Sequence, residues 1–149
     1  MPNLFEPSAR KQIEARLASL QAQSTRQWGK MDAAQMLAHC SVAMEAGTGD
    51  KPLPQRLIGR IFAPLVRKSF LGDKPFPRNS PTDPTFVMSD PKDFSKEKEY
   101  LTKLIDRFCA AGPEAAGKHT HSFLGRVKGE DWGVVMYKHL DHHLRQFGC

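Results

Sequence analysis

Residues 130–147 read EDWGVVMYKHLDHHLRQF, and this stretch decides the fold. At about 100° per residue, Trp132, Val135 and Met136 share one side of a helical projection. The two acidic residues that open the stretch suit the positive end of a helix dipole. The pattern therefore predicts an amphipathic helix whose apolar face points toward a core.

Three of the six histidines fall in this helix, and the projection separates them. With Trp132 at zero, His139 falls at about 340° and His143 at about 20°, in the middle of the apolar face. His142 falls at about 280°, at the border of that face. The pair at i and i+4 stacks two imidazoles closely enough to share one cation. Without a cation, buried imidazoles need a tyrosine, carboxylate or carbonyl partner, and the spacing leaves both solutions open.

A third ligand has to come from another helix, and His39 is the candidate by elimination. It lies about 100° from the centre of its helix's apolar stripe, so it is either a seam ligand or an ordinary half-buried residue. His119 and His121 precede the last helix in a loop. They are expected to lie some 13–20 Å from the pair, given a rise of about 1.5 Å per residue. Either could fold back over the site, but the expectation is that both are polar loop residues.

The same projections identify no general base. Asp141 falls at about 180°, on the solvent side, and Tyr137 is expected to be exposed as well. Glu45 lies off the apolar face of its helix. Cys40 lies centrally on its stripe, where a buried cysteine is either a small core residue or a nucleophile beside His39.

The rest of the chain repeats the helical pattern. Ser8 is a predicted N-cap, and Asp32 with Gln35 predicts a capping box. No strand of useful length competes, so the fold class is all-α, a single domain over residues 1–149. A long crossover between the second and third main helices makes it a variant of the four-helix bundle. The predicted main helices are 8–23, 32–47, 93–111 and 130–147, with shorter helical pieces within 53–71.

Composition excludes several classes. The chain has 149 residues, 40% of them hydrophobic, enough for a core and against general disorder. No uncharged apolar run approaches the roughly 20 residues that span a bilayer. Three cysteines without a C-x-x-C pair favour a reducing, cytoplasmic location over a disulfide scaffold.

The net charge of +6 is concentrated in one segment. Residues 51–72 carry Lys51, Arg56, Arg60, Arg67 and Lys68 and no acid, a net of +5. An apolar stripe in this segment is expected to be covered by the bundle, leaving the basic side chains in water. Nucleic-acid binding and peripheral membrane binding are the competing interpretations, and both are disfavoured.

Two segments resemble a known superfamily. WGKMDAAQMLAHC at 28–40 and WGVVMYKHLDHHLRQFG at 132–148 resemble the DinB/YfiT-like proteins, a superfamily of proposed metalloenzymes. The resemblance covers nearly the whole chain and is closer to a bacterial branch of undefined function. It implies a four-helix bundle and a metal set of His39, His139 and His143. The H-x-x-Q ending of the family motif matches His143 to Gln146.

The resemblance also indicates a class of function. Three protein nitrogens leave an open metal position, as in catalytic zinc sites; nickel or iron fits the same ligands. We expect an enzyme, a transferase or hydrolase for a small molecule, with a low-molecular-weight thiol as one substrate. The alternative is a non-catalytic bundle that acts on a partner, membrane or nucleic acid through segment 51–72, and a homodimer is compatible with both. Gln146 and Trp132 are predicted to support the site without binding the metal.

Overall fold

The computed structural model describes residues 1–52, 57, 61–80 and 84–149. This part of the chain is mainly helical, in agreement with the predicted all-α class, and contains a single two-stranded hairpin. None of its helices is long and apolar enough to cross a membrane. The elements in chain order are α1 (Pro7–Ser19), α2 (Ala33–Thr48), α3 (Ala63–Leu71), a 3-10 turn (Pro84–Phe86), α4 (Phe94–Ala116), β1 (Thr120–His121), β2 (Gly125–Arg126) and α5 (Gly129–Gln146).

The first two helices begin for different reasons. The predicted cap at Ser8 is wrong: α1 begins at Pro7, because proline has no N–H to leave unpaired and its φ suits a first helical turn. The predicted capping box at α2 is confirmed. The Gln35 backbone N–H donates to Asp32 Oδ1 at 2.8 Å, and the Asp32 N–H donates to Gln35 Oε1 at 3.0 Å.

Helix α4 runs past its predicted end at residue 111. Gly112 adopts φ 74° and ψ 176°, which interrupts the helix, and a further helical turn starts at Pro113 and ends at Ala116. The predicted stop is therefore a break within the element. Gly112 causes this break, because glycine reaches positive φ without steric cost.

Four helices, α1, α2, α4 and α5, share one apolar core. Helix α2 packs most extensively along α4. Helix α5 contacts each of the other four helices, and its contact with α3 is the smallest. This places the middle of α2 beside the C-terminal part of α5. The most deeply buried core side chains are Leu4, Ile13, Leu20, Met36, Leu37, Met44, Leu101, Leu104, Ile105, Phe108 and Trp132.

The long connection between α2 and α4 carries α3, and its apolar stripe is only partly covered. Val66, Phe70 and Leu71 pack against the core, as expected. The expectation that the whole stripe is covered is wrong, since four large apolar side chains are 52–68% exposed: Leu57, Ile61, Phe62 and Leu65. In the basic segment, Arg67 is exposed and lies 3.5 Å from Asp131. The sequence predicts shorter helical pieces within 53–71; residues 53–56 and 58–60 of that range, which include Arg56 and Arg60, lie outside the described residues.

The predicted solvent side of α5 is buried, which corrects two expectations. Tyr137 is 7% exposed and Asp141 is 6% exposed. Helix α1 covers this side: the Arg16 guanidinium lies 2.7 Å from Asp141 Oδ1, and the Tyr137 hydroxyl donates to Gln12 Oε1 at 3.2 Å. Polar partners on α1 thus allow polar residues of α5 to lie inside the protein.

Candidate metal site

The three histidines predicted as ligands lie together. His39 comes from the middle of α2, and His139 and His143 come from the last two turns of α5. Their ring centroids are 4.5–5.0 Å apart. One ring nitrogen from each lies within 4.8 Å of the others, so the three could hold a divalent metal ion. The nearest nitrogen pair matches the spacing of roughly 3–4 Å that ligands at ~2.1 Å require, and the set as a whole is wider.

The orientation of His39 is fixed by the 3-10 turn. Its Nδ1 lies 2.8 Å from the Phe86 carbonyl oxygen. A carbonyl only accepts hydrogen bonds, so Nδ1 carries the hydrogen and Nε2 keeps its lone pair. His39 is 4% exposed, so it points inward at the seam between helices and is not an ordinary half-buried residue.

The orientation of His143 is fixed by Gln146, in the way that the sequence predicted for a supporting residue. His143 Nδ1 donates to Gln146 Oε1 at 2.9 Å, while Gln146 Nε2 donates to the Trp28 carbonyl at 2.7 Å. The second bond decides which end of the amide faces the histidine. Gly29, at φ 79°, leaves room for this amide, because a β-carbon there would collide with it. His143 therefore also presents the lone pair of Nε2.

His139 completes the group through a nitrogen–nitrogen contact. Its Nε2 lies 3.0 Å from Nε2 of His39. Since the His39 nitrogen carries no hydrogen, this contact requires a hydrogen on His139 Nε2 when no metal is bound. A divalent cation could take the place of that hydrogen and would be held by His39, His139 and His143.

Burial keeps the three imidazoles uncharged. It is the main cause that lowers the pKa of His39, lowers that of His139 well below its usual value, and lowers that of His143 to about 3. Mutual repulsion among the rings adds to the effect, and the Phe86 carbonyl opposes it at His39. Neutral imidazole is the form that binds metal ions, so ligands of this kind are ready at neutral pH.

A cavity of about 380 Å³ adjoins the histidines. His139, the least buried of the three, opens onto it. Among the described residues no Asp, Glu, Lys or Arg lines it. The wall consists mainly of aromatic and aliphatic side chains, with histidines and serines between them: Val66, Phe70, Phe76, Phe86, Phe123, Trp132, Val135 and Met136 are its large apolar members.

His121 lies in this wall, contrary to the expectation that it is an ordinary loop residue. The hairpin β1–β2 folds its loop back over the site, and His121 is 7% exposed. The separation estimated from the helical rise along α5 does not predict this position, because the loop reverses direction. Gly125, at φ 70°, is the residue whose conformation permits the reversal.

His119 behaves as expected: it does not line the cavity, and its carbonyl oxygen accepts a hydrogen bond from Trp132 Nε1 at 3.3 Å.

Three other candidates have separate roles. His142 lines the cavity but stands outside the nitrogen cluster; its ring lies 5.7 Å from Trp28 and 6.0 Å from Phe76. Trp132 contacts the His121 ring at 5.2 Å and forms cavity wall, with no hydrogen bond to the three histidines. Cys40 is 1% exposed, and burial raises the pKa of its thiol, so it is a core residue.

Comparison with known proteins identifies the family of this chain. A family model matches residues 6–148, and the chain belongs to that family, whose description is "Protein of unknown function (DUF1569)". No curated protein and no solved structure matches the chain.

Proposed function

We propose that this member of the DUF1569 family is a metal-dependent enzyme. His39, His139 and His143 bind one divalent ion, zinc in preference to nickel or iron. The observation that carries the proposal is the nitrogen arrangement: three uncharged imidazoles from two helices each bring one ring nitrogen within 4.8 Å of the others, and two of them are oriented by hydrogen bonds at Nδ1. Such oriented imidazoles are typical of metal ligands.

The reaction we propose is transfer or hydrolysis on a small molecule. In the described part of the chain the cluster holds three nitrogen ligands and no carboxylate or thiolate, which leaves a position for substrate. A bound ion there supplies Lewis acidity, and it lowers the pKa of water or of a low-molecular-weight thiol. The chain's own contribution is to orient the ligands through Phe86 and Gln146 and to exclude water with the aromatic wall.

The proposal extends to the fold family and location. The order of the helices, the long connection before α4 and the H-x-x-x-H pair support membership in the DinB/YfiT-like superfamily, as one four-helix-bundle domain. The free cysteines Cys40, Cys109 and Cys149 agree with a reducing cytoplasm. We also propose that the enzyme acts on a small molecule and that a low-molecular-weight thiol is one of its substrates.

Cobalt substitution and chelation test it. Protein loaded with Co²⁺ should show visible absorption bands that change when 2-mercaptoethanol or azide is added, because each occupies the open position. Treatment with a chelator should abolish the response and leave the helical circular dichroism intact. An unchanged spectrum on adding these probes, or a sharp loss of melting temperature after chelation, would indicate a closed structural site instead.

A second candidate function is binding to an anionic membrane surface. Four large apolar side chains near and within α3 are more than half exposed, and the segment 51–72 has a net charge of +5. Exposed apolar residues beside basic ones are the pattern of helices that lie in a membrane interface. Co-sedimentation with phosphatidylserine vesicles, but not with phosphatidylcholine vesicles, would support it. Salt-sensitive binding to duplex DNA without vesicle binding would point to nucleic acid instead.

A further inference from the structure

His121 is a hydrogen-bond donor whose direction is fixed by its own turn. Its Nδ1 accepts the backbone N–H groups of Phe123 and Leu124, each at 3.1 Å. A ring nitrogen that accepts two N–H groups carries no hydrogen, so the hydrogen of the imidazole is on Nε2, at the opposite edge of the ring. Burial lowers the pKa of His121 to about 4, which keeps this donor uncharged at neutral pH.

The donor on Nε2 is unused and open. Within residues 1–52, 57, 61–80 and 84–149 no hydrogen-bond partner to it is found. It is not one of the sealed, unpaired side-chain atoms of these residues, which are Trp28 Nε1 and Ser41 Oγ. Since His121 lines the cavity, its N–H is available there. The rings of Phe70 and Trp132, each 5.2 Å away, hold the imidazole in place.

The rest of the wall indicates which acceptor suits this donor. A phosphate or other multiply charged group would need cationic side chains, and the described wall has none. An uncharged donor among aromatic rings pairs best with one uncharged acceptor on an apolar molecule. The carbonyl oxygen of a ketone, ester or amide is such an acceptor.

We propose that the cavity binds a neutral carbonyl compound with an aromatic or branched aliphatic body, whose oxygen accepts a hydrogen bond from His121 Nε2. The inference names the substrate class of the same cavity, so the reaction of the bound carbonyl compound rests on the proposed function. Binding of the compound does not require the metal. The assignment makes His121 a substrate-binding residue and places the carbonyl in the cavity that the metal ligands adjoin.

A pair of isosteric probes tests the inference. Acetophenone and α-methylstyrene have nearly the same shape, but only the ketone has an acceptor. We expect the ratio of their dissociation constants to favour the ketone by roughly two- to tenfold more in the wild type than in His121→Asn. Asparagine keeps a side-chain oxygen that can accept from the turn and lacks a donor on the cavity side. His121→Gln, which places an amide N–H near the position of Nε2, should restore part of the preference.

Two readouts make the result decisive. In ¹⁵N-histidine-labelled wild type, the Nε2–H resonance of His121 should shift with acetophenone and not with α-methylstyrene. An equal ratio in wild type and His121→Asn, a hydrogen found on Nδ1, or no binding of either probe would overturn the inference. Both titrations are made on metal-free and zinc-loaded protein. A ketone preference without zinc uptake would leave the inference standing and reject the proposed function; zinc uptake without the preference would do the reverse.

Discussion

Helices α5 and α3 have similar sequence patterns and opposite environments. Each shows an apolar stripe at helical spacing, beside charged residues. Yet α5 is enclosed so completely that Lys138 is 1% exposed, whereas Leu65 of α3 is 68% exposed. A periodic pattern therefore identifies residues that share a face, while the neighbouring elements decide whether that face is covered.

The enclosure of α5 depends on polar partners supplied by distant segments. Lys138 Nζ donates to the carbonyls of Ser69 and Gly72 at 2.5 and 2.9 Å, which ties the end of α3 to α5. Asp141 is held by α1 in the same way. Helix α3 has no comparable cover over its outer apolar residues in the described part of the chain. Two of the three candidate metal ligands, His139 and His143, thus lie on the enclosed helix α5, and the exposed apolar side chains lie on and near α3.

The largest effect on metal binding is expected inside α5, at the residue that orients a candidate ligand. Gln146→Ala should weaken zinc binding by roughly 10–100-fold, because His143 loses its hydrogen-bond acceptor. Isothermal titration calorimetry, with zinc added to metal-free protein, measures this change in affinity. Ser41→Ala is the matched control, since its buried Oγ has no hydrogen-bond partner among the described residues, and zinc affinity should not change. Equal losses of zinc affinity and of unfolding free energy in Gln146→Ala would make Gln146 an ordinary core residue.

The opposite side of α5 should matter for stability and not for metal binding. Asp141→Asn removes the charge that pairs with Arg16 and Arg145, and should lower the free energy of unfolding by about 2 kcal/mol. Urea denaturation measures the loss. Asp106→Asn removes an exposed pair with Arg10 and should cost less than about 1 kcal/mol. Weakened zinc binding in Asp141→Asn would mean that the two sides of α5 are coupled.

The enclosed histidines should make metal-free protein sensitive to acid. Burial lowers the pKa of His121 from 6.5 to about 4, so between these values the unfolded chain binds more protons than the folded protein. The free energy of unfolding therefore falls as the pH decreases through this window, and does not change above it on account of His121. The contribution is about 1.4 kcal/mol per pH unit. Urea curves at several pH values should show a shallower fall in His121→Asn; parallel curves would exclude the effect.

The smallest effect is expected on α3. Leu65→Ala should change the free energy of unfolding by less than about 0.5 kcal/mol, because its side chain is already in water. Leu144→Ala on α5, where the side chain is 2% exposed, should cost about 2–5 kcal/mol. Thermal or urea unfolding of the two variants measures both. A large loss for Leu65→Ala would show that α3 is covered in solution, by a partner or a second copy.

The sequence predicts features that depend on residues close together in the chain, and it does not predict features that depend on distant segments. The capping box at Asp32 and the inward pair His139 and His143 depend on residues three or four positions apart, which helix geometry fixes. The burial of Asp141 depends on Arg16, separated by 125 residues, and a helical projection holds no information about it. His121 was missed for the same reason, since its place depends on how a hairpin folds back.

The central claim is that the Nε2 atoms of His39, His139 and His143 bind one divalent ion, and ¹⁵N NMR of labelled histidines during a zinc titration tests it most directly. Without metal, His39 and His143 should carry hydrogen on Nδ1 and His139 on Nε2, because of the bonds that each ring makes. One equivalent of zinc should move the hydrogen of His139 to Nδ1 and shift all three Nε2 resonances, with the same result in His142→Ala and none in His143→Ala. No zinc uptake at micromolar concentration, or a metal shift at His142 in place of His39, would contradict the claim.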